Sequence, residues 1–306
     1  MKRTANKPGW ISEQYCVQAA SACNLYCACC QNPPGAPAPP LARALAAVRR
    51  RGIKAVSLEG SGEPTTNPEF FENIKKLRAA GVEHFMLSTN AVTFADKAFC
   101  ARAAGEINSF TVNFPSHLPA VYARATRSVK FARALRGLRN LKACGAEGRT
   151  RLFVIVSAFN YRTLPAYADW AAKNFSGAEL VNLTFVRNAG RVADDPAIVP
   201  SYSEAAPFIR LALAKFKLAG LKAVAQNVPL CQLGGFEGFS FEFQRWLRGD
   251  KVLEEGVAGA ARWSACRRCR LRPACCGARA DYARVRGLGE LKASTKDPAS
   301  VRPERF

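Results

Sequence analysis

Short apolar stretches rich in β-branched residues alternate along this chain with longer stretches whose apolar positions recur every three or four residues. Tyr15–Ala19, Ile53–Leu58, His84–Ser88, Ile107–Val112, Arg151–Ser157 and Leu180–Val186 read as strands. Between them, Leu41–Arg51, Pro68–Ala80, Ala95–Ala104, Val129–Cys144 and Leu164–Phe175 carry the helical period, and the first of these stops at Gly52. Strands alternating with helices of this length form βαβ units and a parallel sheet. Six repeats predict an α/β fold, a barrel or partial barrel whose chemistry gathers at the C-terminal ends of its strands.

One further helix, over Ser203–Ala219, is stopped by Gly220. Beyond about residue 224 the periodicity gives way to glycine, aromatic and cysteine-rich sequence. The expected organisation is a barrel over residues 1–224 and a small cysteine-rich C-terminal extension over 225–306. Pro33–Pro40 holds too many prolines for a helix or a paired strand and reads as a stiff surface connection.

Composition adds three points. With 306 residues, 49% hydrophobic and 22% charged, the chain is long and apolar enough to pack a barrel. The formal charge of +22 draws nucleic acid, anionic membrane or acidic peptide, although the arginines are spread over many helices, as arginine-rich coding alone would leave them. Met1–Trp10 is basic but no apolar signal-peptide core follows it, and no run of about 18 apolar residues exists to cross a membrane. The expected compartment is the cytoplasm, where twelve cysteines point to metal ligation rather than to disulfides.

The first cysteine group follows the first strand: Cys23-Asn24-Leu25-Tyr26-Cys27-Ala28-Cys29-Cys30, a C-x3-C-x2-C run. Structural zinc favours C-x2-C pairs and four ligands. Three thiolates on one short loop instead suit three corners of a cubane iron–sulfur cluster, with the fourth iron left open. After the second strand comes Leu58-Glu59-Gly60-Ser61-Gly62-Glu63-Pro64. Its glycines allow the backbone to approach a ligand closely.

Together these segments resemble the radical S-adenosylmethionine (SAM) superfamily. Cys23-Asn24-Leu25-x-Cys27-x-x-Cys30 is similar to its cluster motif, and Ser61-Gly62-Glu63-Pro64 to its Gly-Gly-Glu-Pro motif with serine in first place. The resemblance implies a partial (β/α)6 TIM-like barrel, with which the strand count agrees, and implies that Cys23, Cys27 and Cys30 ligate a [4Fe–4S] cluster whose open iron is chelated by SAM. The loop of Gly60, Ser61, Gly62, Glu63 and Pro64 would hold the amino end of SAM. One electron would then cleave SAM to methionine and a 5′-deoxyadenosyl radical that abstracts hydrogen from a substrate. Where the family usually has a bulky residue before the third cysteine, this chain has Cys29, either a spare thiol or a ligand or redox group.

Later strand ends add candidates. Asn90, in a Ser88-Thr89-Asn90 segment that resembles one lying near SAM, and Asn113 and Ser157 are placed to hold ribose hydroxyls or the carboxylate, although Ser and Asn also form ordinary turns. Arg187 and Arg191 flank the glycine after the sixth strand, facing either an anion or solvent. Cys16, Cys100 and Cys144 read as small core residues. His84 and His117 have no neighbour at a metal or base spacing.

The second cysteine group is Cys266-x2-Cys269 followed by Cys275-Cys276, with Cys231 upstream. By itself such a set suits zinc or a closed iron–sulfur cluster. Its spacing is similar to the start of the SPASM extension of radical SAM enzymes, without the fourth cysteine, because Arg279 stands there. The resemblance implies a shortened, twitch-type extension with a second [4Fe–4S] cluster on Cys231, Cys266, Cys269 and Cys275. Either Cys275 or Cys276 fits, and Cys275 preserves the spacing.

The resemblance also implies an enzyme acting on a ribosomal peptide or protein side chain by cross-linking, epimerisation or oxidation. A small-molecule substrate of cofactor or natural-product biosynthesis is the alternative, and RNA modification a third reading that rests on charge alone. Expected partners are the peptide or small-molecule substrate, an external one-electron reductant such as flavodoxin or ferredoxin, and a separate peptide-recognition protein, with no membrane.

Overall fold

The computed structural model describes residues 15–31, 37–249, 260–261 and 264–304. The basic Met1–Trp10 segment and part of the proline run, residues 33–36, lie outside them. The chain divides into two compact units.

In the first unit (1–24, 32–112 and 132–150), β1 (Tyr15–Gln18), β2 (Ala55–Glu59), β3 (His84–Thr89) and β4 (Ser109–Asn113) pair in that order, each parallel to the next. The parallel register requires a crossover between successive strands. α1 (Leu41–Arg51), α2 (Phe70–Ala79) and α3 (Lys97–Glu106) supply these crossovers. Val56, Leu58, Phe85 and Leu87 are buried in the strands, as are Ile74 and Leu77 of α2. The Phe94 ring meets Phe99 and Phe110 edge-on at 5.5 and 5.8 Å, the favoured aromatic geometry.

The second unit (25–31, 113–131 and 151–306) begins its later segments with α4 (Pro119–Thr126), a helix that the sequence reading passed over. α5 (Phe131–Ala143) belongs almost wholly to the first unit. β5 (Thr150–Val156), α6 (Leu164–Asn174), β6 (Leu180–Phe185), the short α7 (Arg191–Asp194), α8 (Tyr202–Leu218) and β7 (Ala223–Gln226) follow. β5, β6 and β7 are again parallel in chain order. All six residues of β6 are buried. Its alternate residues Asn182 and Thr184 are polar, and both donate to Gln226 Oε1, at 2.9 and 3.1 Å, so one face of β6–β7 is a satisfied polar ladder. α8 opens with a capping box between Ser201 and Glu204.

β7 is a seventh strand beyond the six read from the pattern. At four residues, with glycine just before it and asparagine after, it offers too little alternation to register as a repeat. The C-terminal segment then runs through α9 (Leu230–Leu233), α10 (Phe241–Leu247), β8 (Ala260–Ala261), α11 (Ser264–Arg267), β9 (Ala278–Arg279) and α12 (Ala280–Arg286), with β8 and β9 antiparallel. No helix of the described residues is long and apolar enough to cross a membrane. The α/β architecture is thus that of a partial barrel with a cysteine-rich C-terminal segment.

Candidate functional site

The Gly60–Pro64 turn leaves β2 and lies against the residues that lead into the first cysteine. Glu63 N–H donates to the Ala22 carbonyl at 2.8 Å, the Thr66 hydroxyl donates to the same oxygen at 3.1 Å, and Asn67 Nδ2 donates to Ala19 O at 2.7 Å. Three bonds therefore fix the backbone immediately before Cys23.

The Glu63 side chain points inward. Its Oε1 accepts from the Thr65 hydroxyl at 2.7 Å and the Thr89 hydroxyl at 2.6 Å, and its Oε2 accepts the Asn90 N–H at 2.8 Å. Burial raises its pKa, and these donors pull the other way without cancelling the shift. Glu63 thereby ties the β2 turn to the end of β3. Asn90 in turn donates through Nδ2 to Asn24 Oδ1 at 2.7 Å and accepts the Val92 N–H at 3.0 Å. Asn90, Glu63 and the cysteine-loop residue Asn24 form one network.

Cys23 belongs to the first unit and Cys27 and Cys30 to the second. Within the second unit the loop is held by α4, where Tyr26 N–H donates to Thr126 O at 3.2 Å and Ala28 N–H to Ala125 O at 2.9 Å. Cys29 is buried, and burial pushes its thiol up to about 11.

A ligand-binding site leaves polar atoms that the chain itself does not satisfy. Ser61 Oγ, Asn113 Oδ1 and Ser157 Oγ are such atoms: each is buried, and none has an oxygen or nitrogen partner among the described residues. Ser157 Oγ lies beside the Cys29 sulfur. The three residues stand at or just beyond the C-terminal ends of β2, β4 and β5. A buried polar group without a partner costs about 1–3 kcal/mol, so each of these atoms suits a hydrogen bond from a polar ligand.

Arg191, which the sequence left between anion and solvent, is buried at 8% exposure and bound to the cysteine loop. Its N–H donates to Cys30 O at 3.0 Å and its Nη1 to Cys27 O at 3.2 Å. Arg187 Nη1 donates to Gln31 Oε1 at 3.2 Å, and burial and Arg279 both lower its pKa. The position of Gly190-Arg191 just after a strand was the available signal. The bonding partners were not readable from it.

The C-terminal cysteines meet around one hollow within the second unit. Cys231, Cys266, Cys269 and Cys275 line it together with Leu230, Leu271, Leu291, Arg272 and Lys292. Cys275 Sγ accepts the N–H groups of Leu230 and Gly277, both at 3.3 Å, and Cys269 Sγ accepts that of Ser294 at 3.3 Å. Cys276 is buried and is not among the lining residues; its thiol donates to Cys275, which holds the Cys275 pKa below its ordinary value. Burial pushes Cys231 up to about 11, with the Lys292 N–H opposing and the other three thiols adding.

Among the described residues, no three of these side chain types converge on a point where a single metal ion would sit. Four thiols set around a hollow, with N–H donors and two cations near them, fit a thiolate-held metal centre, an iron–sulfur cluster or zinc. Cys100 is buried, as read, but Cys16 and Cys144 are exposed. Cys16 lies on an open position of the edge strand β1, and Cys144 lies past the end of α5 with its thiol against that of the buried Cys100.

The radical SAM superfamily matches residues 17–171. No curated protein matches the chain. Among solved structures, Streptococcus suis SuiB bound to S-adenosylmethionine superposes with a TM-score of 0.56 at 14% identity, over 73% of this chain and 52% of that one. anSMEcpe with bound AdoMet and a Cp18Cys peptide gives 0.57 at 15%, over 78% and 66%. The FeFe-hydrogenase maturase HydG from Carboxydothermus hydrogenoformans gives 0.54 at 14%, over 74% and 56%. The chain thus spans about half the length of SuiB. At these identities the likeness is one of fold.

Proposed function

Because the chain belongs to the radical SAM superfamily, enzymes that work with a [4Fe–4S] cluster and SAM, we propose that it modifies a peptide or protein side chain, with Cys23, Cys27 and Cys30 as the ligands of that cluster. When bound, the cluster supplies one electron to cleave SAM, and the adenosyl fragment takes a hydrogen atom from the substrate.

The residues of this chain supply position. Gly62 and Glu63 pin the backbone before Cys23, and Glu63 holds the end of β3 through Asn90. Ser61, Asn113 and Ser157 offer unsatisfied polar atoms to SAM. Cys231, Cys266, Cys269 and Cys275 hold a second iron–sulfur cluster, with Arg272 and Lys292 offsetting the negative charge of the thiolates. An external reductant of the flavodoxin or ferredoxin type supplies the electron.

The hollow lined by four thiols is the observation that carries this reading beyond the superfamily. Support for a peptide comes from relatives of like fold: SuiB is known bound to its precursor peptide SuiA, and anSMEcpe bound to a Cp18Cys peptide. The net charge of +22 suits an acidic peptide.

Anaerobic reconstitution with iron, sulfide, SAM and a strong reductant tests the reading. The expected result is 5′-deoxyadenosine and methionine as products, with about eight irons per chain for two cubane clusters. A peptide encoded beside this gene, deuterated at its α and β positions, should pass deuterium into the 5′-deoxyadenosine. Transfer only from a small molecule would overturn the peptide assignment, and zinc in place of iron would overturn the second cluster.

A further inference from the structure

The turn after β6 holds the cysteine loop through four contacts, all within the second unit. Arg191 N–H donates to Cys30 O at 3.0 Å, Arg191 Nη1 donates to Cys27 O at 3.2 Å, and Arg187 Nη1 donates to Gln31 Oε1 at 3.2 Å. The Arg191 guanidinium carbon also lies 3.4 Å from the centre of the Tyr26 ring. Gly190 makes this approach possible. Its φ is +60°, and a Cβ there would fall 2.4 Å from Cys30 O and 2.5 Å from Gln31 O. Only glycine fits both the dihedral and the space.

The partners of Arg191 are unusual for a buried cation. Its guanidinium donates to one carbonyl oxygen, that of Cys27, and lies on the Tyr26 ring face, and no carboxylate among the described residues lies within ion-pair distance. Taking a guanidinium out of water without a counter-charge is costly. The expense is offset if negative charge arrives on the loop, and thiolates at Cys27 and Cys30 bring it there. A planar, permanently charged guanidinium is suited to hold a carbonyl at its edge and a ring on its face at once, which lysine does not do.

We propose that Arg191 is a positioning residue that clamps the cluster loop and whose fixed charge favours the electron that the cluster accepts. The proposal rests on Cys23, Cys27 and Cys30 being the ligands. It assigns two separable effects to one side chain: its bond to Cys27 O and its stacking on Tyr26 shape the loop, and its charge sets the ease of reduction.

The test uses the full, reconstituted chain and follows the electron paramagnetic resonance signal that changes on adding SAM, which distinguishes the open-iron cluster from a closed one. Iron content and midpoint potential are measured for wild type, Arg191→Lys and Arg191→Gln. Arg191→Gln should lower the reduced fraction at a fixed potential by about tenfold, roughly 59 mV for a one-electron couple. Arg191→Lys keeps the charge and should stay within about twofold of wild type, while both variants lose cluster faster than wild type on chelator challenge.

An unchanged potential in Arg191→Gln overturns the clamp's electrostatic role, because a purely structural contact would alter iron retention alone. Should Arg191→Gln fail to keep its cluster, Arg191→His carries a charge that pH removes. Its gap from wild type must then widen as the pH rises through the imidazole range, about 6 to 7, and no widening overturns the proposal. Persistence of the SAM-responsive signal after replacing Cys23, Cys27 and Cys30 overturns the ligand assignment and the clamp with it. Failure of Arg191→Gln to shift the potential overturns the electrostatic role of Arg191 and leaves the ligand assignment standing.

Discussion

Gly62 runs so close to Ala22 that a Cβ on it would fall 2.2 Å from the Ala22 carbonyl oxygen. That oxygen already accepts from Glu63 N–H and from the Thr66 hydroxyl, one residue before Cys23. Backbone, not a flexible side chain, blocks the added atom, so it cannot be accommodated by a rotamer change.

Gly62→Ala should therefore cost about 1–3 kcal/mol of stability, the range for forced overpacking. The strain falls on the entry to the cysteine loop. Denaturant midpoints should drop, and the reconstituted variant should hold fewer irons in the SAM-responsive cluster while the C-terminal hollow keeps its own. Full loading of both at wild-type stability would show that the turn does not position Cys23.

Glu63 gives a dependence on pH. Burial raises its pKa above the ordinary 4.5, so the folded chain binds that proton more tightly than the unfolded chain. The associated stabilisation is full below about 4.5 and is lost as pH climbs through the raised value. Glu63→Gln removes this titration, and places either an amide donor against the Asn90 N–H or one against the two hydroxyls that now donate to Oε1. The stability lead of wild type over Glu63→Gln should thus be greater at about pH 5 than at about pH 8, read from urea unfolding at each. A constant difference would count against a titrating Glu63.

What the sequence made legible was whatever repeats or carries chemistry in its residue type. The strand series from Tyr15 to Val186 and the stops at Gly52 and Gly220 follow from local periodicity and from the left-handed backbone that glycine allows, φ +61° and +68° at the two stops. The four thiols that line the C-terminal hollow were grouped by their spacing together with the family resemblance, and the same spacing favoured Cys275 over Cys276; the backbone turns Cys275, and not its neighbour, into the hollow. Ala223–Gln226 was missed because four residues carry little pattern. Arg191 was missed because its partners are carbonyls on a loop 160 residues earlier in the chain, and carbonyl oxygens leave no trace in the residue alphabet.

Cys275 and Cys276 should respond oppositely to substitution. Cys275 lines the hollow and accepts two N–H bonds, whereas Cys276 is buried outside the lining and donates its own proton. Cys275→Ser should cost the chain about half of its iron, the share of one cubane cluster in two. Cys276→Ser should keep nearly all of it, since a hydroxyl still donates to the neighbouring sulfur. Iron analysis and the visible absorbance of the reconstituted proteins decide this, and the reverse pattern would transfer the ligand to Cys276.

Asn113 and Ser61 carry a double signature. Each holds a buried oxygen without a partner among the described residues, a penalty that a bound ligand would offset. Removing the orphan should relieve that penalty while removing the ligand's contact. Asn113→Ala and Ser61→Ala are therefore expected to leave the unliganded chain as stable as wild type or up to about 1 kcal/mol more so, and to weaken SAM binding by about tenfold, the equivalent of one hydrogen bond worth about 1.4 kcal/mol. Thermal unfolding with and without SAM reads both effects on one sample, because a ligand that binds the folded chain raises its melting temperature in proportion to its affinity. A loss of stability without SAM, with an unchanged SAM-induced shift, would mean that these oxygens serve the fold and not the ligand.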